Sequence, residues 1–178
     1  MKHALIVGAR GVGKSTLISR VLEELKRPVV GFETKKDEAQ DGQPGWPVYL
    51  YEVGKVRVQS RGNLVGRCGN RCLARCPEVF DRYAVTLREP AAKGCVVKLD
   101  ELGFLESASE AFCGAVLEKL EGDVPVIAAV KDRDTPFLRA VRSHPKAVCF
   151  FITEDNRDGL YREVLAFMRE QMSEEELS

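Results

Sequence analysis

Gly8-Ala9-Arg10-Gly11-Val12-Gly13-Lys14-Ser15-Thr16 follows the apolar run Ala4-Leu5-Ile6-Val7 and leads into a segment with helical periodicity. The order of strand, glycine-rich turn and helix start is what gives the pattern G-x-x-x-x-G-K-[ST] its meaning. Glycines let the backbone curl so that its N–H groups point inward at a triphosphate. The helix that follows presents its positive end to the same anion. All nine residues, Gly8 to Thr16, are therefore expected to line a nucleoside-triphosphate site. Lys14 is expected to reach the β- and γ-phosphates, and the Ser15 hydroxyl to ligate Mg²⁺.

The chain has 178 residues, the size of one domain. The expected organisation is one domain over residues 1–172, carrying a Cys/Arg-rich insertion at about 61–93, with an acidic tail at 173–178. Lys plus Arg and Asp plus Glu both number 27, so bulk charge calls for neither a nucleic acid nor an anionic membrane as partner. The N-terminus enters a strand directly, with no room for a signal peptide, and no apolar run approaches the ~20 residues of a membrane span. The expected location is cytoplasmic. Cys95, Cys113 and Cys149 fall in apolar periodic segments and read as reduced core residues.

Strand and helix then alternate, the pattern of a parallel α/β sheet. Leu17, Ile18, Val21, Leu22 and Leu25 recur at helical spacing, and Pro28 ends that helix. Residues 29–32 form a short strand, and the polar stretch 35–47 a loop. Residues 49–53 and 56–60 flank Gly54-Lys55, a turn pair that predicts a β-hairpin. Further strands are expected at 95–99, 124–130 and 147–152, with helices at 107–120, 136–142 and 157–172. The tail after 172 is expected to fray. The fold class is α/β: a three-layer α/β/α sandwich on a mainly parallel sheet with a small antiparallel hairpin.

Cys95-Val96-Val97-Lys98-Leu99-Asp100-Glu101 is an apolar strand ending in two carboxylates. Ligands of open α/β sheets gather at the carboxyl ends of strands, which places Asp100 and Glu101 beside the phosphate loop. Asp100 is expected to hold Mg²⁺ together with Ser15, in the Walker B manner. Glu101 is expected to orient or deprotonate the attacking water, making Lys14 and Glu101 the catalytic pair. Lys98 is out of place in a buried strand; its stem is expected to snorkel to an edge, or the strand to be partly exposed.

With these motifs in place the chain resembles the thermophile-type, or cancer-related, nucleoside-triphosphatases of the P-loop superfamily. Four segments carry the likeness: the loop at 8–16, Gly31-Phe32-Glu33-Thr34, Asp100-Glu101-Leu102-Gly103-Phe104-Leu105-Glu106, and Thr153-Glu154-Asp155-Asn156-Arg157. The last three are similar to the family's G-F-x-T, D-E-I-G-x-M-E and T-x-x-N-R elements. The resemblance implies Mg²⁺-dependent hydrolysis of nucleoside triphosphates to diphosphates, broad tolerance of the base, and a compact P-loop fold. The chain departs from the family at 35–47, which lacks the arginine-containing strand and second Gly-Phe pair, and at 61–93.

Several features keep two readings. Asn156 and Arg157 either contact the base or ribose, or cap the last helix. Cys68, Cys72 and Cys76, four residues apart, would line one face of a helix, as a metal site, a redox or protein-docking element, or ordinary thiols. Arg61, Arg67, Arg71, Arg75 and Arg82 either fold over the triphosphate or form a solvated surface. Lys131-Asp132-Arg133-Asp134 reads as a solvated loop, and His3 and His144 as isolated. Two other functions share the loop: a small-molecule or nucleoside kinase, and a nucleotide-dependent switch or assembly factor docking a protein through the Cys/Arg-rich segment.

Overall fold

The computed structural model of the chain describes residues 1–38, 42–69 and 72–176. Among the described residues, one eight-stranded sheet carries helices on both faces. Its strands are β1 (His3–Gly8), β2 (Val29–Lys36), β3 (Trp46–Glu52), β4 (Leu64–Cys68), β5 (Cys72–Arg75), β6 (Val96–Leu102), β7 (Val126–Lys131) and β8 (Ala147–Phe151). Its helices are α1 (Lys14–Leu25), α2 (Pro77–Arg88), α3 (Glu110–Glu121), α4 (Pro136–Arg142) and α5 (Arg157–Glu176). The strand order is β5-β4-β3-β2-β6-β7-β1-β8. From β2 to β8 in that order every pairing is parallel, whereas β3, β4 and β5 are antiparallel to their neighbours.

The two faces bury separate cores. Phe32, Phe80, Leu99, Phe112 and Leu138 lie under α2, α3 and α4; Ile6, Ile18, Ile127, Val164 and Met168 lie under α1 and α5. Period-2 alternation divides β1 accordingly, Leu5 and Val7 facing one core and Ala4 and Ile6 the other. The sandwich and its mainly parallel sheet match the sequence reading.

The small antiparallel element is present, as the β2–β3, β3–β4 and β4–β5 pairs, but the hairpin predicted between 49–53 and 56–60 does not form. Gly54 does turn the chain, at φ 81, but residues 56–60 stay unpaired, with Val56 and Val58 facing solvent. β3 instead returns along β2, from Lys36↔Val48 to Phe32↔Glu52, and then pairs with β4. The Asn63 amide closes the 53–63 loop by donating to Leu50 O at 3.1 Å and Val58 O at 2.9 Å. The β-branched alternation of 56–60 imitates a strand, while that side-chain network supplies its polar bonds.

The segment read as an insertion contributes two sheet strands, Leu64–Cys68 and Cys72–Arg75, and a helix, Pro77–Arg88. Cys68 ends β4, Cys72 begins β5 as its cross-strand partner, and Cys76 precedes α2, so the three thiols do not share a helix face. Among the described residues, no group of three His, Cys, Asp or Glu side chains is placed to hold a metal. Arg71 lies outside the described residues. β2 runs four residues beyond its predicted end, and α5 continues to Glu176, four residues beyond its own. A 3₁₀ turn, Glu106–Ala108, precedes α3, whose start is set by Ser109 Oγ accepting the Phe112 N–H at 3.1 Å. No described helix is long and apolar enough to cross a membrane.

Candidate active site

The carboxyl ends of β1, β6, β7 and β8 converge on the N-terminus of α1. At the end of β1 the chain turns through Gly11 (φ 78) and Gly13 (φ 105), conformations that glycine adopts without strain. A Cβ on Gly8 would stand 2.9 Å from the Ile152 carbonyl oxygen, so close approach of the loop to the end of β8 needs glycine there as well. Val12 is buried beneath the loop, and Ala9, Arg10 and Thr16 are exposed.

Lys14 is folded back under this loop. Its Nζ donates to Gly8 O at 2.9 Å and Ala9 O at 2.7 Å, and pairs with Glu101 Oε2 at 2.9 Å. Ser15 Oγ donates to Asp100 Oδ1 at 2.8 Å across the gap between α1 and β6. Asp100 is 2% exposed, and its second oxygen, Oδ2, is buried without a hydrogen-bond partner. The structure thus brings Lys14, Ser15, Asp100 and Glu101 into one constellation, although β7 separates the two strands that supply them.

That intervening strand contributes a residue the sequence reading passed over. Lys131 ends β7, in register with Gly8 on one side, and its Nζ lies 3.0 Å from Glu101 Oε1. Glu101 is therefore gripped between Lys14 and Lys131, one ammonium on each oxygen. Lys131 had been grouped with a solvated charge run. The signal that finds it is topological: like Asp100, it is a charged residue closing an apolar parallel strand at the ligand edge.

Three further groups brace the site. Thr34 Oγ1 accepts the Glu101 backbone N–H at 3.3 Å, which assigns a task to the last residue of Gly31-Phe32-Glu33-Thr34. Lys98 neither snorkels nor sits on an exposed strand. It is 6% exposed and its Nζ donates to Glu33 Oε2 at 2.9 Å, an ion pair invisible in sequence because Glu33 lies on β2. Burial pushes the Glu33 carboxyl up, but Lys98, Lys35 and Arg57 together hold it below the usual range. Glu106, at the end of the Asp100-to-Glu106 segment, accepts the Gly103 N–H at 3.0 Å, and burial raises its pKa to about 7 against the pull of Lys131.

Asn156 and Arg157 have different duties, and only Arg157 is seen against the glycine-rich loop. The Asn156 side chain accepts the Thr153 N–H at 2.8 Å and donates to Phe151 O at 2.9 Å, fixing the β8–α5 turn without bonding a helical amide. Arg157 lies across Gly13, where an added Cβ would meet its Cδ at 3.3 Å. In the Cys/Arg-rich segment, Arg75 stacks 3.8 Å over Phe104, Arg67 donates to Gly45 O, and Arg82 to Gly62 O. Burial pushes the Cys68 thiol up, while the positive charges of Lys131 and Arg10 pull it back.

Known proteins resemble this arrangement across its length. The family model described as NTPase matches residues 3–165. The nucleoside-triphosphatase THEP1 of Aquifex aeolicus is 28% identical, covering 92% of this chain and 97% of its own. The cancer-related nucleoside-triphosphatase homolog of Mus musculus is 26% identical, covering 94% and 97%. Among solved structures, the crystal structure of Aquifex aeolicus THEP1 superposes with a TM-score of 0.63 at 24% identity, covering 93% of this chain and 98% of that one. The solution structure of a human cancer-related nucleoside triphosphatase does so with a TM-score of 0.68 at 24% identity, covering 96% and 98%. At that identity the two structures speak for the fold.

Proposed function

We propose that this chain, which belongs to the NTPase family, hydrolyses the β–γ phosphoanhydride bond of nucleoside triphosphates through the constellation at the end of β1 and β6. The observation that carries the reading is the double grip on Glu101: a carboxylate held beside the phosphate-loop lysine, on the side where a γ-phosphate would meet water. The loop amides and Lys14 bind the β- and γ-phosphates. As Lys14 turns to phosphate oxygens it exchanges its bond to Glu101 for them, and Lys131 keeps the carboxylate in place. Glu101 then accepts a proton from water as the water oxygen attacks the γ-phosphorus. The bond from that phosphorus to the bridging oxygen breaks, and the products are a nucleoside diphosphate and inorganic phosphate. Glu101 returns its proton to solvent or phosphate. Arg157, which lies across Gly13, would contact the base or ribose, and Asn156 would act beside it from the β8–α5 turn.

The residues fit a divalent metal. Ser15 and Asp100 offer hard oxygen donors, and the buried Asp100 Oδ2 accepts no hydrogen bond, which leaves it open to a bond from such an ion. Mg²⁺ suits so small a protein contribution, since it takes its remaining ligands from phosphates and water; bound there, it supplies neutralisation of charge on the triphosphate. The test is phosphate release from ATP, GTP, CTP and UTP with Mg²⁺ and without added acceptor. Release from several of them supports a hydrolase of broad base tolerance. Nucleoside-diphosphate formation that requires an added hydroxyl acceptor, with the phosphoryl group found on that acceptor and not as free phosphate, establishes a kinase instead.

A further inference from the structure

Asp100 Oδ2 is buried with no hydrogen-bond partner, yet an ammonium group, Lys98 Nζ, stands 3.4 Å away. At that distance the two already form an ion pair, yet without the hydrogen bond that opposite charges so close in a buried setting ordinarily add. What restrains Lys98 is Glu33, which takes its Nζ at 2.9 Å. The strand geometry arranges the three. Lys98 and Asp100 are two apart on β6 and share a face, and Glu33 is the β2 register partner of Asp100. Glu33 is itself supported, by Arg57 from the 53–63 loop on Oε1 and by Lys35 at 3.7 Å.

We infer that Glu33 is a positioning residue for the metal site: by taking the Lys98 hydrogen bond and balancing its charge, it keeps the Lys98–Asp100 pair loose and leaves Asp100 Oδ2 able to bond the divalent ion. The inference rests on the reading above in which Asp100 holds the metal. Without the Glu33 charge, Lys98 closes on Asp100 and opposes the metal, both by occupying Oδ2 and by placing an uncompensated positive charge beside it. Removing Lys98 as well takes the competitor away. Loss of Glu33 therefore harms metal binding only while Lys98 is present. A packing defect would not be mended by a second substitution.

The experiment measures Mn²⁺ binding by electron paramagnetic resonance at saturating AMP-PNP for the parent, Glu33→Gln, Lys98→Met, the double variant and Asp100→Asn. Glu33→Gln should weaken Mn²⁺ binding about tenfold, and Glu33→Gln/Lys98→Met should recover most of that loss. Lys98→Met alone should bind Mn²⁺ as tightly as the parent or more so, which keeps the inference testable if Glu33→Gln does not fold. Turnover should follow, with the Mg²⁺ requirement of Glu33→Gln raised more than kcat is lowered at saturating Mg²⁺. Parental affinity in Glu33→Gln, no recovery in the double variant, or weakened binding in Lys98→Met would each overturn the inference. Asp100→Asn separates the two levels: parental Mn²⁺ affinity there refutes the metal role of Asp100 itself, whereas its loss with an unaffected Glu33→Gln refutes only the role of Glu33.

Discussion

Lys131 Nζ sits 3.0 Å from Glu101 Oε1, on a strand that the sheet order inserts between the strand of the phosphate loop and the strand of the carboxylates. In the proposed mechanism Glu101 thus keeps a partner when Lys14 turns to phosphate. Lys131→Met should lower kcat by on the order of 10- to 100-fold, the value of a well-oriented proton acceptor, with a much smaller effect on nucleotide affinity. Steady-state kinetics beside a fluorescent-nucleotide titration separates the two. Parental kcat in Lys131→Met would show that Glu101 needs no such support.

Lys14 and Glu101 should part company when each is substituted. Lys14→Ala removes an ammonium that sits among the loop carbonyls at 2.7 and 2.9 Å, and should lose both nucleotide binding and turnover. Glu101→Gln keeps a side chain of the same size without a base, so it should still bind nucleotide while phosphate release falls at least about 100-fold. Turnover at the parental rate in Glu101→Gln would remove Glu101 from the mechanism.

Gly31 joins the fold to the site. Its φ is +112, and a Cβ there would stand 2.1 Å from the Lys98 carbonyl oxygen on the neighbouring strand. Tyr83 on α2 donates to the Gly31 carbonyl at 2.9 Å. Gly31→Ala must strain the backbone or separate β2 from β6, and should cost about 3 kcal/mol or more in denaturant unfolding. It should also raise the Mg²⁺ requirement, since Glu33 and Thr34 follow directly on β2.

What the sequence made legible divides along physical lines. The phosphate loop is local: nine consecutive residues, with strand and helix directly attached, contain its chemistry. Asp100 and Glu101 follow from one apolar strand and a general rule about sheet edges. Lys131 obeys the same rule, but nothing in the sequence says that β7 lies between β1 and β6. Glu33 and Lys98 are 65 residues apart and meet only through β2–β6 register, so each alone reads as a misplaced charge. The hairpin failed because Gly54-Lys55 does turn the chain, while the strand that pairs with β3 begins only at Leu64. Local pattern locates elements, and long-range pairing decides which of them meet.

Two buried titratable groups make opposite demands on stability. His3 Nε2 donates to Leu120 O at 2.8 Å while Nδ1 accepts the Val126 N–H at 3.2 Å, an arrangement for the neutral ring, and burial lowers its pKa from 6.5 to about 4. Between those values the unfolded chain binds the extra proton, so stability rises with pH from about 4 to 6.5. Burial raises the Glu106 pKa from 4.5 to about 7, so the folded chain binds the extra proton and stability falls as pH rises through that window. Each effect is worth up to about 3 kcal/mol, and over their common range they oppose one another. Relative to the parent, Glu106→Gln should therefore gain stability as pH rises from 4.5 to 7, and His3→Gln should lose it as pH rises from 4 to 6.5. Urea unfolding free energies across pH 4 to 7.5, taken as differences from the parent so that the ordinary carboxylates cancel, measure both slopes. Differences that stay level with pH for Glu106→Gln would mean that its carboxyl titrates like an exposed one, and the same result for His3→Gln would mean that the ring is not held neutral.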